Sequence, residues 1–248
     1  FILSKLLTSV YWLLMLFQTP LISATLICRY KRFLADIILG DGRKATAHCP
    51  NPGSMQGLCN PGQHIWVEPN NDPRKKLKFS WRLVDHKNGH FSGVDTHAAN
   101  KIVKEALLKR KISGLDEYDI CRPEVRYGAK SRIDFLLSQT GKKDIYIEVK
   151  SVTLMRTKGV AEFPDSVTKR GLKHLLELAK VVENGNRAIL LFLVQRTDCN
   201  NFKIAADVDP AFAKAFNLAC SFGVETLCLS CQLSPDMIGV DKEVPFEV

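Results

Sequence analysis

Asp134, Glu148 and Lys150 are the residues whose types and spacing suit chemistry on a phosphodiester. They lie in two runs, Arg132-Ile133-Asp134-Phe135-Leu136-Leu137 and Ile145-Tyr146-Ile147-Glu148-Val149-Lys150, joined by a turn containing Thr140-Gly141-Lys142. A hairpin folded about Gly141 sets Ile133 against Val149, Phe135 against Ile147 and Leu137 against Ile145. All three pairs are apolar, so that side is the expected buried face. The same register sets Asp134 opposite Glu148 on the other face, with Lys150 two residues on and pointing the same way.

Two opposed carboxylates repel each other, and a cation relieves the repulsion. Oxygen ligands suit a hard ion, Mg²⁺ or Mn²⁺, with water and a substrate phosphate completing its shell. Lys150 would then hold the attacking water or stabilise charge building on the phosphate. The competing expectation is a solvated, salt-bridged strand face, since short acid-x-lysine patterns match freely. The hairpin register, its apolar partner face and the basic surroundings favour the site.

The elements around this pair supply those surroundings. A helix is expected over 165–183, with Asp165 as N-cap and a stripe of Leu172, Leu175, Leu176, Ala179 and Val182. Arg170, Lys173 and His174 lie opposite that stripe and are expected to project outward, placed to grip a phosphate backbone, unless they are an ordinary polar face. Helices are also expected over 97–111 and 209–221. Strands are expected within 123–149, over 188–195, which is almost wholly apolar, and over 224–230. Alternating helices and strands make this half an α/β domain beginning near residue 95.

Before that point the pattern is short strands and turns. Residues 26–39 read as one long extended stretch ending at Gly40-Asp41-Gly42, residues 63–67 and 91–94 as short strands, and residues 74–84 as a basic strand. Such a set fits a small five-stranded barrel of the oligonucleotide-binding type. Arg29, Lys31 and Arg32 with Tyr30 and Phe33, and Lys76 and Lys78 with Phe79 and Trp81, interleave cations and aromatics as single-strand binders do. The alternative is that some of these rings are barrel core.

Composition agrees with a folded, nucleic-acid-directed chain. Of 248 residues, 46% are hydrophobic and 25% charged, which excludes disorder, collagen and coiled coil. A net charge of +9 favours a polyanion, whether nucleic acid or an acidic membrane surface. Eight irregularly spaced cysteines fit reduced thiols and a cytoplasmic setting; Cys228-x-x-Cys231 alone is a weak zinc or redox signal against two half-buried thiols. His48-Cys49 reads as a ligand pair or as packed side chains. No phosphate-binding glycine loop, G-x-S-x-G or H-E-x-x-H is present. Residues 1–28 carry one charge, Lys5, and Pro20 interrupts their apolar run. Residues 1–14 are expected to be an extension of no structural consequence, with Met15 a natural start and no membrane partner.

The residues also resemble the bacterial sugar fermentation stimulation protein A family. The matching segments are Arg29-Tyr30-Lys31-Arg32-Phe33-Leu34-Ala35-Asp36, His48-Cys49-Pro50-Asn51, Ser131-Arg132-Ile133-Asp134-Phe135, the run from Tyr146 through Glu148 and Lys150 to Leu154, and Phe163-Pro164-Asp165 with Arg170-Gly171 and Lys173-His174-Leu175. The resemblance implies an oligonucleotide-binding-type barrel over 15–95 and a PD-(D/E)xK nuclease-like α/β domain over 96–248. It also implies non-specific DNA binding and a regulatory role in sugar (maltose) catabolism. Asp134, Glu148 and Lys150 match the nuclease motif, Glu124 is a further acidic candidate for the metal, and Arg132 joins the basic residues proposed for DNA. Three functions are thereby in view: a DNA-binding protein, on single or double strands, with a Mg²⁺-dependent nuclease site; a non-enzymatic DNA-binding regulator; and an RNA-binding or RNA-processing protein. Oligomeric state is not written in these patterns.

Overall fold

In the computed structural model, residues 17–128 and 131–247 are described. The extension expected at 1–14, and Met15, lie outside the described residues.

Six strands build the first half: β1 (Ile22–Tyr30), β2 (Leu34–Leu39), β3 (Lys44–His48), β4 (His64–Pro69), β5 (Phe79–Asp85) and β6 (Phe91–Gly93). They run in the order β3-β2-β1-β4-β5-β6, and a parallel pairing of β3 with β5 closes the first five into a barrel. Closure removes the open edges that a small sheet would otherwise present. Alternation along the strands fills the interior with Leu26, Ile37, Ile65, Val67 and Trp81, all at most 1% exposed. The Trp81 indole N–H donates to the Leu83 carbonyl (3.0 Å), so this ring is core.

Two sequence expectations change here. Residues 26–39 are not one strand: the chain reverses at Lys31 and Arg32, and β2 pairs antiparallel with β1. Extended-strand propensity on both sides concealed a turn with no glycine or proline to announce it. The cationic residues 74–78 precede β5 instead of lying on it.

The second half is a six-stranded sheet ordered β15-β14-β12-β9-β8-β7, formed by β7 (Ile120–Tyr127), β8 (Ser131–Ser138), β9 (Ile145–Val152), β12 (Arg187–Val194), β14 (Glu225–Leu233) and β15 (Ile238–Glu243). Strand β12 pairs parallel with both β9 and β14. Its sequence, RAILLFLV, is buried on both faces after the first residue, as a central parallel strand requires. Helix α1 (Ala98–Leu108) covers one face of the sheet; α2 (Lys169–Glu183) and α3 (Pro210–Ser221) cover the other. A small sheet of β10 (Leu154–Thr157), β11 (Val160–Phe163) and β13 (Asn201–Ile204) flanks it.

Local chemistry sets the helix starts. Asp209 caps α3 by accepting from Phe212 N–H (3.0 Å), with Pro210 in the first turn. Helix α2 begins at Lys169, not at 165, and its cap is Thr168, which accepts from Gly171 N–H (3.0 Å). Asp165 leaves the helix and accepts instead from Ser54 N–H of the barrel (2.9 Å). A second junction is Gly93 N–H donating to the Gln195 carbonyl (2.8 Å). Leu83 of β5 packs in the same apolar cluster as α1 and the sheet, so the two halves share core.

All eight cysteines are free thiols. Cys228 and Cys231 are buried on β14, and burial pushes both thiols up, away from the reactive thiolate. Among the described residues no helix is long and apolar enough to cross a membrane.

Candidate active site

The β8–β9 hairpin adopts the pairing that the arithmetic gives, Phe135 with Ile147 and Leu137 with Ile145. The ladder ends there. Beyond it Ile133 packs with the α2 and α3 cluster, whereas Phe135 and Leu137 pack with α1. The expected Ile133–Val149 pair on one common face is therefore not made. In its place the Asp134 carboxylate enters the gap: Oδ2 accepts from Val149 N–H (2.7 Å) and Oδ1 from the Asn100 side chain of α1 (2.7 Å). A carboxylate bonded to a neighbouring backbone amide is a fixed one.

Glu148 leans the other way, towards α2. It is 3% exposed; its Oε1 accepts from Lys150 Nζ (2.6 Å) and is in contact with His174 Nδ1. The Arg170 Nε–H donates to His174 Nε2 (3.4 Å), which leaves His174 Nδ1 facing Glu148 and Lys150. The two acids thus reach the end of the hairpin ladder from opposite sides instead of confronting each other across one face. They still interact: burial and then the Glu148 charge push Asp134 up to about 6. Burial alone would raise Glu148 too, but His174 and Lys150 hold it below the usual carboxylate range. Glu148 Oε2 is buried with no hydrogen-bond partner among the described residues, and so are Tyr127 Oη and Glu177 Oε2. Burial, with the charges of Glu148, Glu177 and Asp134, pushes the Tyr127 phenol up and keeps it neutral.

The other candidate residues divide. Arg170 and Lys173 are exposed on α2, but His174, expected beside them at the surface, is 5% exposed, while Leu176 from the expected stripe is 47% exposed. The helix is rotated from the expected orientation so that His174 can meet Glu148. Glu124 is exposed on β7 at φ 55, and among the described residues no group of three His, Cys, Asp or Glu could hold a metal ion, so Glu124 does not complete a ligand set there. Arg132 is exposed and paired across the β7–β8 ladder with Arg126. Arg29 is engaged internally, donating to the carbonyls of Arg32, Asn51 and Gly53. Lys31 and Arg32 are exposed at the β1–β2 turn. Lys76 and Lys78 are exposed in the loop before β5, with Lys78 Nζ donating to the Asp72 carbonyl (3.1 Å). Phe33 is 45% exposed and stacks on His48, while Cys49 is buried against Met55, so this histidine and thiol face different surroundings.

Asn100, the buried role of His174, and the Ser54–Asp165 contact were not legible in sequence. Each depends on a partner between 26 and 111 residues away. A cleft of about 350 Å³ is walled by Asn51 and Gly53 of the barrel, Val149 and Lys150 of β9, and Asp165 and Thr168 before α2; Lys150 lines it, while Asp134, Glu148, Asn100 and His174 lie outside its lining.

Fold and cluster together define a two-part protein, a closed oligonucleotide-binding-type barrel followed by an α/β domain built on a mixed six-stranded sheet. The family model described as the SfsA N-terminal OB domain matches residues 27–94, and the sugar fermentation stimulation protein RE domain matches residues 97–237. The chain belongs to the sugar fermentation stimulation protein family. It is 59% identical over 235 residues to the sugar fermentation stimulation protein homolog of Roseobacter denitrificans, covering 94% of this chain and 100% of that one. The homolog of Ruegeria pomeroyi is 62% identical over 226 residues, covering 91% and 98%. Among solved structures, Pyrococcus furiosus SfsA in complex with Ca²⁺ superposes with TM-score 0.85 at 26% identity, covering 95% of this chain and 99% of that one.

Proposed function

We propose that this chain is a DNA-binding protein whose second half keeps a divalent-metal site for phosphodiester hydrolysis. The observation that carries the reading is a pair of acids, Glu148 buried and Asp134 half-buried, with surplus negative character: among the described residues Glu148 Oε2 has no hydrogen-bond partner, and burial and the Glu148 charge push Asp134 up to about 6. Hard carboxylate oxygens of this kind fit Mg²⁺ or Mn²⁺. The Asp134 oxygens already accept one hydrogen bond each, but a carboxylate has about four lone-pair sites, so both acids keep capacity for a cation. The solved Pyrococcus furiosus relative, in complex with Ca²⁺, supports a family that takes divalent ions.

In this reading Asp134 and Glu148 hold the cation, which when bound supplies Lewis-acid polarisation of a phosphoryl oxygen and a more acidic water. Asn100 and Val149 N–H fix the Asp134 carboxylate. His174 fixes Glu148 through Oε1, leaving Oε2, which has no hydrogen-bond partner among the described residues, for the cation. Lys150, at the cleft wall, orients the attacking water or stabilises charge on the phosphate. Arg170 and Lys173, exposed on α2, attract the backbone.

A second reading has its own support. Lys150 and His174 already engage Glu148 Oε1, and among the described residues no three-ligand cluster exists, which suits a DNA-binding regulator using the nuclease scaffold as a platform. Incubating the full chain with single- and double-stranded DNA and with RNA, in Mg²⁺, Mn²⁺ or EDTA, separates the readings. Metal-dependent cleavage abolished in Asp134→Ala and Glu148→Ala is expected. Binding without cleavage of any substrate would favour the regulator, and preference for RNA throughout an RNA-directed protein.

A further inference from the structure

The turn between β1 and β2 has a form that packing does not explain. Lys31 and Arg32, in the three-residue connection Lys31-Arg32-Phe33 between the paired Tyr30 and Leu34, both have left-handed backbones, φ 49 and 64, a conformation that Asn or Gly ordinarily takes. Two adjacent cations at a tight tip add repulsion to that strain. Neither side chain is buried, and the next residue, Phe33, is 45% exposed. Phe33 does not lie loose: its ring stacks on His48 with centroids 6.4 Å apart and planes 22° from parallel, which sets one face of the phenyl against imidazole. Burial lowers the His48 pKa, so its ring is a neutral platform near pH 7.

This tip is tied to the cleft at Lys150. The Arg29 guanidinium donates to the Arg32 carbonyl (3.0 Å) and, from its other arm, to the carbonyls of Asn51 (2.8 Å) and Gly53 (3.0 Å). One side chain therefore holds both the turn and the barrel wall of the cleft. His48 is three residues from Asn51, a reach of about 10 Å at most. Ser54, which follows Gly53 of that wall in sequence, bonds Asp165 of the α/β half, and Lys150 and Asp165 line the same cleft.

We propose that Phe33, backed by His48 and flanked by Lys31 and Arg32, is a stacking site for one unpaired base, leading a single strand into the cleft at Lys150. The inference rests on the nucleic-acid reading above and deepens it: the substrate class is a single strand or a single-stranded tail. Bases inside a duplex have both faces covered and cannot stack on a protein ring, whereas unpaired bases can, and the two cations meet the adjoining phosphates.

The test uses the full chain in EDTA, so that cleavage does not intervene, with fluorescence anisotropy on labelled single-stranded DNA, single-stranded RNA, blunt duplex and duplex with a single-stranded tail. Single-stranded and tailed probes are expected to bind more tightly than blunt duplex. The two single strands distinguish DNA from RNA as the source. Phe33→Ala is expected to weaken single-strand and tailed binding roughly five- to a hundredfold, the range for one stacked base, and to leave blunt-duplex binding unchanged. Phe33→Trp should retain binding, and an unchanged melting curve for both variants checks the fold. Equal loss on all probes, or no loss on single strands, overturns the stacking site while leaving the nucleic-acid reading intact. Absence of binding to every probe overturns both.

Discussion

Asp134 is held charged against its environment. Burial and the Glu148 charge push its pKa up to about 6 from the ordinary 3.8. The folded chain therefore holds more protons than the unfolded chain between these values, so this residue's contribution to stability is fully present below about pH 4 and is lost as pH rises through 6. In EDTA, Asp134→Asn is expected to stabilise the protein at pH 7.5 by at most about 3 kcal/mol, with no gain near pH 4, because two pKa units correspond to roughly that energy. Thermal melts across pH measure it; a variant less stable than the parent at pH 7.5 would show that the Asn100 and Val149 bonds outweigh the buried charge. Added Mn²⁺ should remove the parent's deficit, increasingly so above pH 6, where proton and cation no longer compete. His174 makes a second prediction. His174→Ala leaves Glu148 Oε1 with Lys150 alone, so cleavage should lose kcat by about tenfold or more with KM little changed, and His174→Asn should recover part of it by donating to the same oxygen. Loss confined to KM would make His174 a binding residue. The three motif residues were legible because acids on an otherwise apolar hairpin stand out. His174 was not: on a wheel it lies opposite the expected apolar stripe, and its burial is decided by Glu148 on β9.

At the scale of elements, the segment between β11 and α2 connects the two halves. Sequence assigns Asp165 to the helix because an acid before an apolar-periodic run reads as an N-cap. Thr168 takes that role, and Asp165 instead bonds Ser54 N–H and Oγ. The same local ambiguity hid the β1–β2 turn, where both flanks favour strand and the reversal is made by Lys31 and Arg32. Long periodic segments such as β12 and α3 were legible throughout, since their burial pattern repeats within the element. The Asp165 contact leaves no room for a larger residue at Gly53, where an added Cβ would lie 2.4 Å from Asp165 Oδ2. Gly53→Ala should therefore displace the carboxylate, with Asp165→Ala having the same consequence, each costing about 1 kcal/mol for one lost hydrogen-bonded contact. The double variant is expected to cost about as much as either single one, because both remove the same contact. Denaturant melts of the four proteins measure the cycle; additive losses would mean that Gly53 and Asp165 act independently.

For the whole molecule, the surplus of nine positive charges predicts how binding responds to salt. Each phosphate neutralised releases condensed counterions, so log K should fall linearly with log salt, by about 0.7 per contact on single strands and about 0.9 on duplex. Exposed cations and the exposed ring then leave different signatures. Lys76→Ala removes a charge without disturbing the barrel core, so it should lower the slope by up to one such increment, equally on every sequence tested. Phe33→Ala removes no charge; it should leave the slope unchanged and lower affinity by the same factor at every salt concentration. Titrations between about 50 and 200 mM salt span the range over which several contacts change affinity by orders of magnitude. If Phe33→Ala flattened the slope, its loss would be electrostatic, through displacement of Lys31 and Arg32, and the ring would have no stacking role. If Lys76→Ala left the slope unchanged, the nucleic acid would not reach the β4–β5 loop, and its path would be confined to the β1–β2 turn, the cleft at Lys150 and the exposed cations of α2.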